Sequence, residues 1–183
     1  MNQRTEPAVV RPLQRPPVRQ ATVVRSDLEH TFSTFVRSIG AWWPVKVFSA
    51  GKERVRNVTI EERAGGSVSE TWDDGTVVEW GELLDWTPPS RFVMTWAGTP
   101  QPTEVEFRFA ALGPLLTRVT VEHRGWERLT EEDLGKDCAL PGGYRSGAYS
   151  AGWRQILDRF TSVLEPTPPA PNDQPARAQG SEP

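Results

Sequence analysis

Two carboxylates and one imidazole occupy positions that an alternating pattern would bury. Glu70 stands beside Trp72, Glu82 lies between Trp80 and Leu84, and His123 follows Val121 by two residues. A buried carboxylate is costly unless paired, hydrogen-bonded or open to a wet cavity. The three groups therefore have three readings. They are satisfied members of the core, they sit at strand ends or bulges and reach water, or they form the polar lining of a ligand pocket. In the last case an imidazole beside a carboxylate can also act as a general base, with His123 as the proton-transfer group and Glu70 or Glu82 as its partner. Aromatic residues supply the rest of the chemistry. Eight tryptophans are present, and Trp and Tyr combine a large rigid contact area with one hydrogen-bonding group, which suits small-molecule pockets as well as ordinary cores. The candidate lining is Trp42, Trp43, Trp72, Trp80, Glu82, Trp96, Phe107, His123, Tyr149 and Trp153.

Other chemistries lack their signatures. No His/Cys/Asp cluster has zinc spacing, and Gly142-Gly143 lacks the strand and helix start of a phosphate-cradling loop, so no cofactor and no metal are expected. The single Cys138 has no partner for an internal disulfide and reads as a loop thiol in a reducing, cytoplasmic compartment. A net charge of -3 over 183 residues, without a Lys/Arg stripe, argues against nucleic acid as a partner. Residues 1–20 lack the apolar stretch of a signal peptide and no later run reaches membrane-span length, so no membrane association is expected. Oligomeric state is not legible.

The elements that must position these residues follow from periodicity. Residues 1–16 are rich in proline and polar residues and read as a disordered arm; residues 166–183 read as a second such tail, leaving one domain over 17–165. Val18–Arg25 fits a first strand. Ser26 with Glu29 has the spacing of a capping box, and Leu28, Phe32, Phe35, Val36 and Ile39 form the apolar stripe of a helix that Gly40 would end in a left-handed cap. Trp42 and Trp43 then either plug one end of the core or wall a pocket mouth. From Arg54 to Trp126 the period becomes two. Six strands are predicted at Arg54–Glu62, Gly66–Trp72, Thr76–Trp86, Arg91–Ala97, Thr103–Ala110 and Leu116–Trp126, an antiparallel meander. Trp72, Val78, Trp80, Leu84, Trp86, Phe92, Met94, Trp96, Val105, Phe107, Phe109, Val119 and Val121 mark its covered face. Glu104, Glu106, Arg108, Arg118, Thr120 and Glu122 mark the wet face.

Glu127–Gly143 is too long for a plain turn. Thr130 with Asp133 can cap one helical turn through Leu134, and loops of this length often act as lids. Tyr144–Leu164 reads as one long helix. Its small residues Gly147, Ala148, Ala151 and Gly152 suggest either a frayed start or space reserved for a close approach or a ligand. Strand, helix, six-strand meander and long final helix make an α+β helix-grip arrangement, a curved antiparallel sheet of six or seven strands wrapped around the last helix.

Several segments carry a family resemblance. Trp42-Trp43-Pro44, Gly65-Gly66 through Trp72, Gly75 to Trp80-Gly81-Glu82, Trp86-Thr87-Pro88-Pro89, Arg91-Phe92 to Trp96, and Thr117 through His123-Arg124-Gly125-Trp126 resemble the domain shared by homologues of the activator of the 90-kDa heat-shock protein ATPase. Gly152-Trp153 with Ile156 and Leu157 resembles that family's final helix. The resemblance spans about residues 18–164 and implies the START and Bet v 1-like SRPBCC superfamily, whose members commonly hold a hydrophobic ligand between sheet and helix. Ile39–Pro44, Thr117–His123 and Gly152–Phe160 also resemble bacterial proteins that confer self-resistance by binding a toxic natural product. The expected function is binding of an aromatic or polyketide-like small molecule. A cyclase- or hydrolase-like enzyme is the alternative, and the family name adds co-chaperone interaction as a further one.

Overall fold

The computed structural model describes residues 15–165; the predicted terminal arms lie outside this range except for Arg15 and Pro16. Seven strands form one antiparallel sheet: β1 Val18–Val24, β2 Val55–Ile60, β3 Ser67–Trp72, β4 Val77–Thr87, β5 Arg91–Trp96, β6 Thr103–Gly113 and β7 Leu116–Arg124. The spatial order is β1-β7-β6-β5-β4-β3-β2. Strands β2 to β7 are thus a simple meander, and β1 closes onto the last strand with Thr22 opposite Val119. Between β1 and β2 lie α1 Leu28–Arg37, α2 Ile39–Trp42, α3 Val45–Phe48 and a 3-10 turn at Lys52–Arg54. Between β7 and the end come a short α4, Glu131–Gly135, and α5, Ala148–Leu164. The helix-grip arrangement follows. Trp153, Ile156, Leu157 and Phe160 of α5 are buried against the aromatic face of the sheet, with Phe32 and Phe35 of α1 closing one end.

Local chemistry explains where the elements differ from expectation. The cap of α1 is Asp27, not Ser26: its carboxylate accepts the amide of His30 at 2.8 Å. Ser26 instead offers its carbonyl to the buried hydroxyl of Thr117. Gly40 does not end α1, which stops at Arg37. It lies inside α2, where a Cβ would come within 2.6 Å of Asn57 Oδ1, so glycine there serves close packing onto β2. The last helix begins at Ala148, because Gly147 is left-handed at φ 79° and breaks the run from Tyr144. The capping box of Thr130 with Asp133 forms as expected.

Strand β4 departs most from simple alternation. Irregularities opposite Val68/Ser69 and at Leu83/Asp85 each insert an extra residue, bending the strand and reversing which side chains face inward. Leu83 is consequently buried, whereas Leu84 and Glu82 are exposed. Gly81 sits at the bend with Thr95 carbonyl oxygen where a Cβ would have to stand. The wet face also holds one surprise. Glu106 is only 2% exposed, because Arg91, Arg108 and Arg124 converge on it at 2.6, 2.6 and 2.7 Å. Burial pushes its carboxyl up, but the hydrogen bonds from Arg91 and Arg124 outweigh that and hold it below the usual range.

A capping carboxylate at a helix N-terminus contributes about 1 kcal/mol. Asp27→Ala is therefore expected to lower unfolding free energy by about that amount in urea titrations, and Ser26→Ala by clearly less. Equal losses would restore Ser26 as the cap.

Candidate functional site

The sheet–helix interface is largely filled, and tryptophans fill it. Trp42 and Trp43 are buried between α1, α5 and the sheet, with Trp43 packed 4.8 Å from Trp80 and 6.2 Å from Trp153 between ring centres. What remains behind Trp43, Trp80, Trp96 and Phe107 is a void of about 10 Å³, barely room for one water. The usable space lies at the edge. A partly open cleft of about 440 Å³ is bounded by Val47 and Phe48 of α3, by Trp96 at the end of β5 and Gly98 after it, by the loop at Asp137–Ala139, and by Ala148, Tyr149, Gly152, Trp153 and Ile156 of α5. A broader groove of about 630 Å³ beside α1 and Pro88–Pro89 is rimmed by Glu29, Arg37 and Glu62 and lacks such an aromatic wall.

Each wall has a local cause. Small residues at 148 and 152 let Phe48 approach α5; a Cβ on Gly152 would lie 3.2 Å from its ring. The 127–147 segment is a lid in the geometric sense, since its Asp137–Ala139 stretch closes one side. Beneath it a second small core of Trp126, Leu129 and Leu134 packs with Val18, Tyr144 and Tyr149. Arg15, bonded to Leu129 carbonyl and Glu131, and Pro16, whose carbonyl accepts Tyr144 Oη at 2.8 Å, pin this lid from the N-terminal side. The end of the predicted arm is thus part of the domain.

Glu70 is fully buried and does not reach the cleft. Its Oε1 accepts Gly51 N–H and Trp72 Nε1–H, both at 2.7 Å, and its Oε2 accepts Trp80 Nε1–H at 3.0 Å. Arg54 stacks on the same Trp72, its Cζ 3.8 Å from a ring centre. The carboxyl group therefore anchors the Ser49–Arg54 segment that carries one wall.

His123 is equally enclosed. Its Nδ1 lies 3.2 Å from Trp153 Nε1 and its Nε2 2.7 Å from Thr103 Oγ1. An indole nitrogen can donate but not accept, so Nδ1 must be the bare nitrogen and Nε2 carries the proton. That N–H donates to Thr103, whose hydroxyl lies 3.1 Å from Thr99 Oγ1; Thr99 in turn donates to Gln101 carbonyl at 2.7 Å. Burial pushes the imidazole down to about 3. Protonating Nδ1 would also set two N–H groups against each other. His123 is neutral and its ring nitrogens are both engaged.

Of the ten candidate lining residues, Trp96, Tyr149 and Trp153 border the cleft. Trp42, Trp43, Trp80, Phe107 and His123 support it from within the core, Trp72 lies behind Gly51, and Glu82 is exposed on β4. The proposed catalytic set of His123 with Glu70 or Glu82 does not converge: both buried members are saturated by protein partners, and the bulges turn Glu82 to solvent. Phe48, Gly98, Cys138 and Ile156 were not among the candidates. The length of the loop containing Cys138 and the small residues of α5 were the available signals. Cys138 donates to Leu140 carbonyl at 3.3 Å, and Lys52 and Asp137 stand exposed at the rim. Tyr149 has no hydrogen-bond partner among the described residues; burial first, and Cys138 second, push its hydroxyl up to about 12.

The His123 geometry sets a pH dependence. The folded value lies below the unfolded one of about 6.5, so the unfolded chain binds the extra proton and stability falls as pH drops below 6.5. The decline approaches about 1.4 kcal/mol per pH unit between pH 6 and 5; below about pH 5 carboxylates held low in the fold, Glu106 among them, add to it. Chemical denaturation across pH 7 to 5 should show it, and His123→Asn should flatten it over that range. Nitrogen-resolved NMR should report the neutral Nε2–H tautomer at pH 5.

The comparisons with known proteins agree with this architecture. No curated protein matches the chain by sequence. Among solved structures, the chain is similar to an anthrahydroquino-γ-pyrone synthase, Txn09, with 27% identity and TM-score 0.54 over 82% of this chain and 97% of that one. It is similar to a self-sacrificing resistance protein, CalC from Micromonospora echinospora, with 25% identity and TM-score 0.55 over 81% and 94%. CalU16 from the same organism, at 18% identity and TM-score 0.52 over 81% and 75%, shares the fold. The sequence model of the family described as activator of Hsp90 ATPase homolog 1-like protein matches residues 28–165, from α1 through α5, and the chain belongs to that family.

Proposed function

We propose that this protein binds a flat, hydrophobic, aromatic or polyketide-like small molecule in the cleft between α3, α5 and the 137–139 loop. The observation that carries the reading is the cleft itself. Its volume of about 440 Å³ falls in the range of small-molecule sites, and Phe48, Trp96, Trp153 and Ile156 give it apolar walls in an otherwise filled core. The likeness to a self-resistance protein supports sequestration of such a compound as the biological role. The likeness to a γ-pyrone synthase, which extends over nearly all of that enzyme, favours a second reading in which the bound molecule undergoes ring closure. Within the cleft, no imidazole is available as a base. Tyr149, with its hydroxyl pushed up to about 12, stays protonated at neutral pH and serves as a donor.

Titration with 1,8-dihydroxyanthraquinone is expected to quench tryptophan fluorescence saturably at one site and to raise the melting temperature. Gly152→Leu places a side chain between Phe48 and the cleft and should weaken binding at least tenfold while circular dichroism still reports the native fold. Binding that is undiminished in that variant would move the site elsewhere.

A further inference from the structure

The tryptophan donors divide into spent and unspent. An indole N–H left unpaired in the interior costs roughly 1–3 kcal/mol, so a tryptophan-filled core must supply an acceptor for each one. Six of the eight have one in the protein. Trp42 donates to Phe35 carbonyl, Trp43 to Phe48 carbonyl, Trp72 and Trp80 to Glu70, Trp126 to His123 carbonyl and Trp153 to His123 Nδ1. Trp86 and Trp96 have no acceptor among the described residues, and Trp86 lies away from the cleft, packed on Phe32 and Phe92.

Trp96 is different. It is half-buried in the cleft floor, edge-on to Trp153 at 5.4 Å between ring centres. Its Nε1 lies beside Gly98, another cleft residue, where a Cβ would come within 2.6 Å of that nitrogen. A glycine therefore keeps the donor uncovered. The second unspent group is the hydroxyl of Tyr149, a residue of the α5 wall of the same cleft, whose ring is braced edge-on against His123 at 5.4 Å and tilted against Trp126 at 4.7 Å. The other polar groups facing the cleft are occupied or peripheral. Ser49 Oγ donates to Val45 carbonyl and accepts Lys52 N–H, Cys138 donates to Leu140 carbonyl, and Lys52 and Asp137 are exposed at the rim.

We infer that Trp96 Nε1–H and Tyr149 Oη–H are ligand-orienting donors, and that the occupant is a planar aromatic bearing carbonyl or quinone-type oxygens that accept them. This rests on the cleft reading above and narrows it to a chemical class. Two neutral donors in a half-buried apolar setting favour an uncharged or enolate-like acceptor there, and the only carboxylate of the lining, Asp137, stands out at the exposed rim. Both donors sit on side chains held by packing, so the orientation is preformed.

Two probes separate the arms: 1,8-dihydroxyanthraquinone, which carries carbonyl oxygens, and N-phenyl-1-naphthylamine, which is apolar and carries no oxygen. Trp96→Phe and Tyr149→Phe keep the aromatic surface and remove one donor each. Each is expected to weaken anthraquinone binding about five- to tenfold, the loss of one hydrogen bond, while changing naphthylamine binding less than twofold. Losses that are equal for both probes, or absent for the anthraquinone, overturn the donor assignment and leave the cleft reading standing. Failure of both probes to bind the wild-type protein overturns the cleft reading and the donor assignment together; binding of the naphthylamine but not the anthraquinone overturns the donor assignment alone. Should a variant not fold, the Trp96 indole N–H resonance of the wild-type protein decides: a downfield shift with bound anthraquinone supports the assignment, and an unmoved resonance in the saturated protein rejects it.

Discussion

The neutral ring of His123 is the point on which the sheet and the last helix depend. One nitrogen accepts the indole of Trp153 from α5, and the other donates to Thr103 on β6, from which a hydroxyl chain runs through Thr99 into the β5–β6 loop. Its own carbonyl holds the indole of Trp126, and so the floor of the lid. The imidazole ties α5 to β6 directly and the β5–β6 loop through Thr103, with donor and acceptor directions fixed by the fact that an indole cannot accept. Such a residue resembles a catalytic histidine in sequence, yet its chemistry is consumed by holding the fold.

Glu70 plays the matching part on the other flank. A carboxyl group with three N–H donors and, among the described residues, no cation in direct contact is worth burying only because two indoles and one backbone amide must themselves be satisfied in the same place. The result is a rigid connection from β3 to the Ser49–Arg54 segment and so to the α3 side of the cleft. The two polar clusters thus brace opposite walls without entering the space between them.

Filling the sheet–helix interior with tryptophan also decides where that space lies. Indole rings of Trp42, Trp43, Trp80 and Trp153 occupy the volume beneath α5. The cleft is displaced to the edge where α5 starts, where Ala148 and Gly152 leave α3 and the 137–139 loop as its walls. This explains why supporting aromatics outnumber lining ones.

Much of the architecture was legible in the sequence. The period of two from Arg54 to Trp126, the 3.6-residue stripe of α5 and the turn residues between strands follow from backbone geometry and the exclusion of apolar surface from water, which act locally and leave a periodic record. The seven-strand sheet, its covered face apart from β4, and the short capped helix through Leu134 were accessible for that reason. What the chain did not reveal were non-local events. Bulges in β4 reversed Leu83, Leu84 and Glu82, because an inserted residue changes parity without changing composition. The roles of Glu70 and His123 depended on which indoles reached them from residues ten and thirty positions away. Trp96 and Tyr149 became distinctive only once their neighbours' donors were spent. Local pattern determines the elements and their faces; three-dimensional pairing determines which polar group is left free, since satisfaction is a property of neighbours and not of residue type.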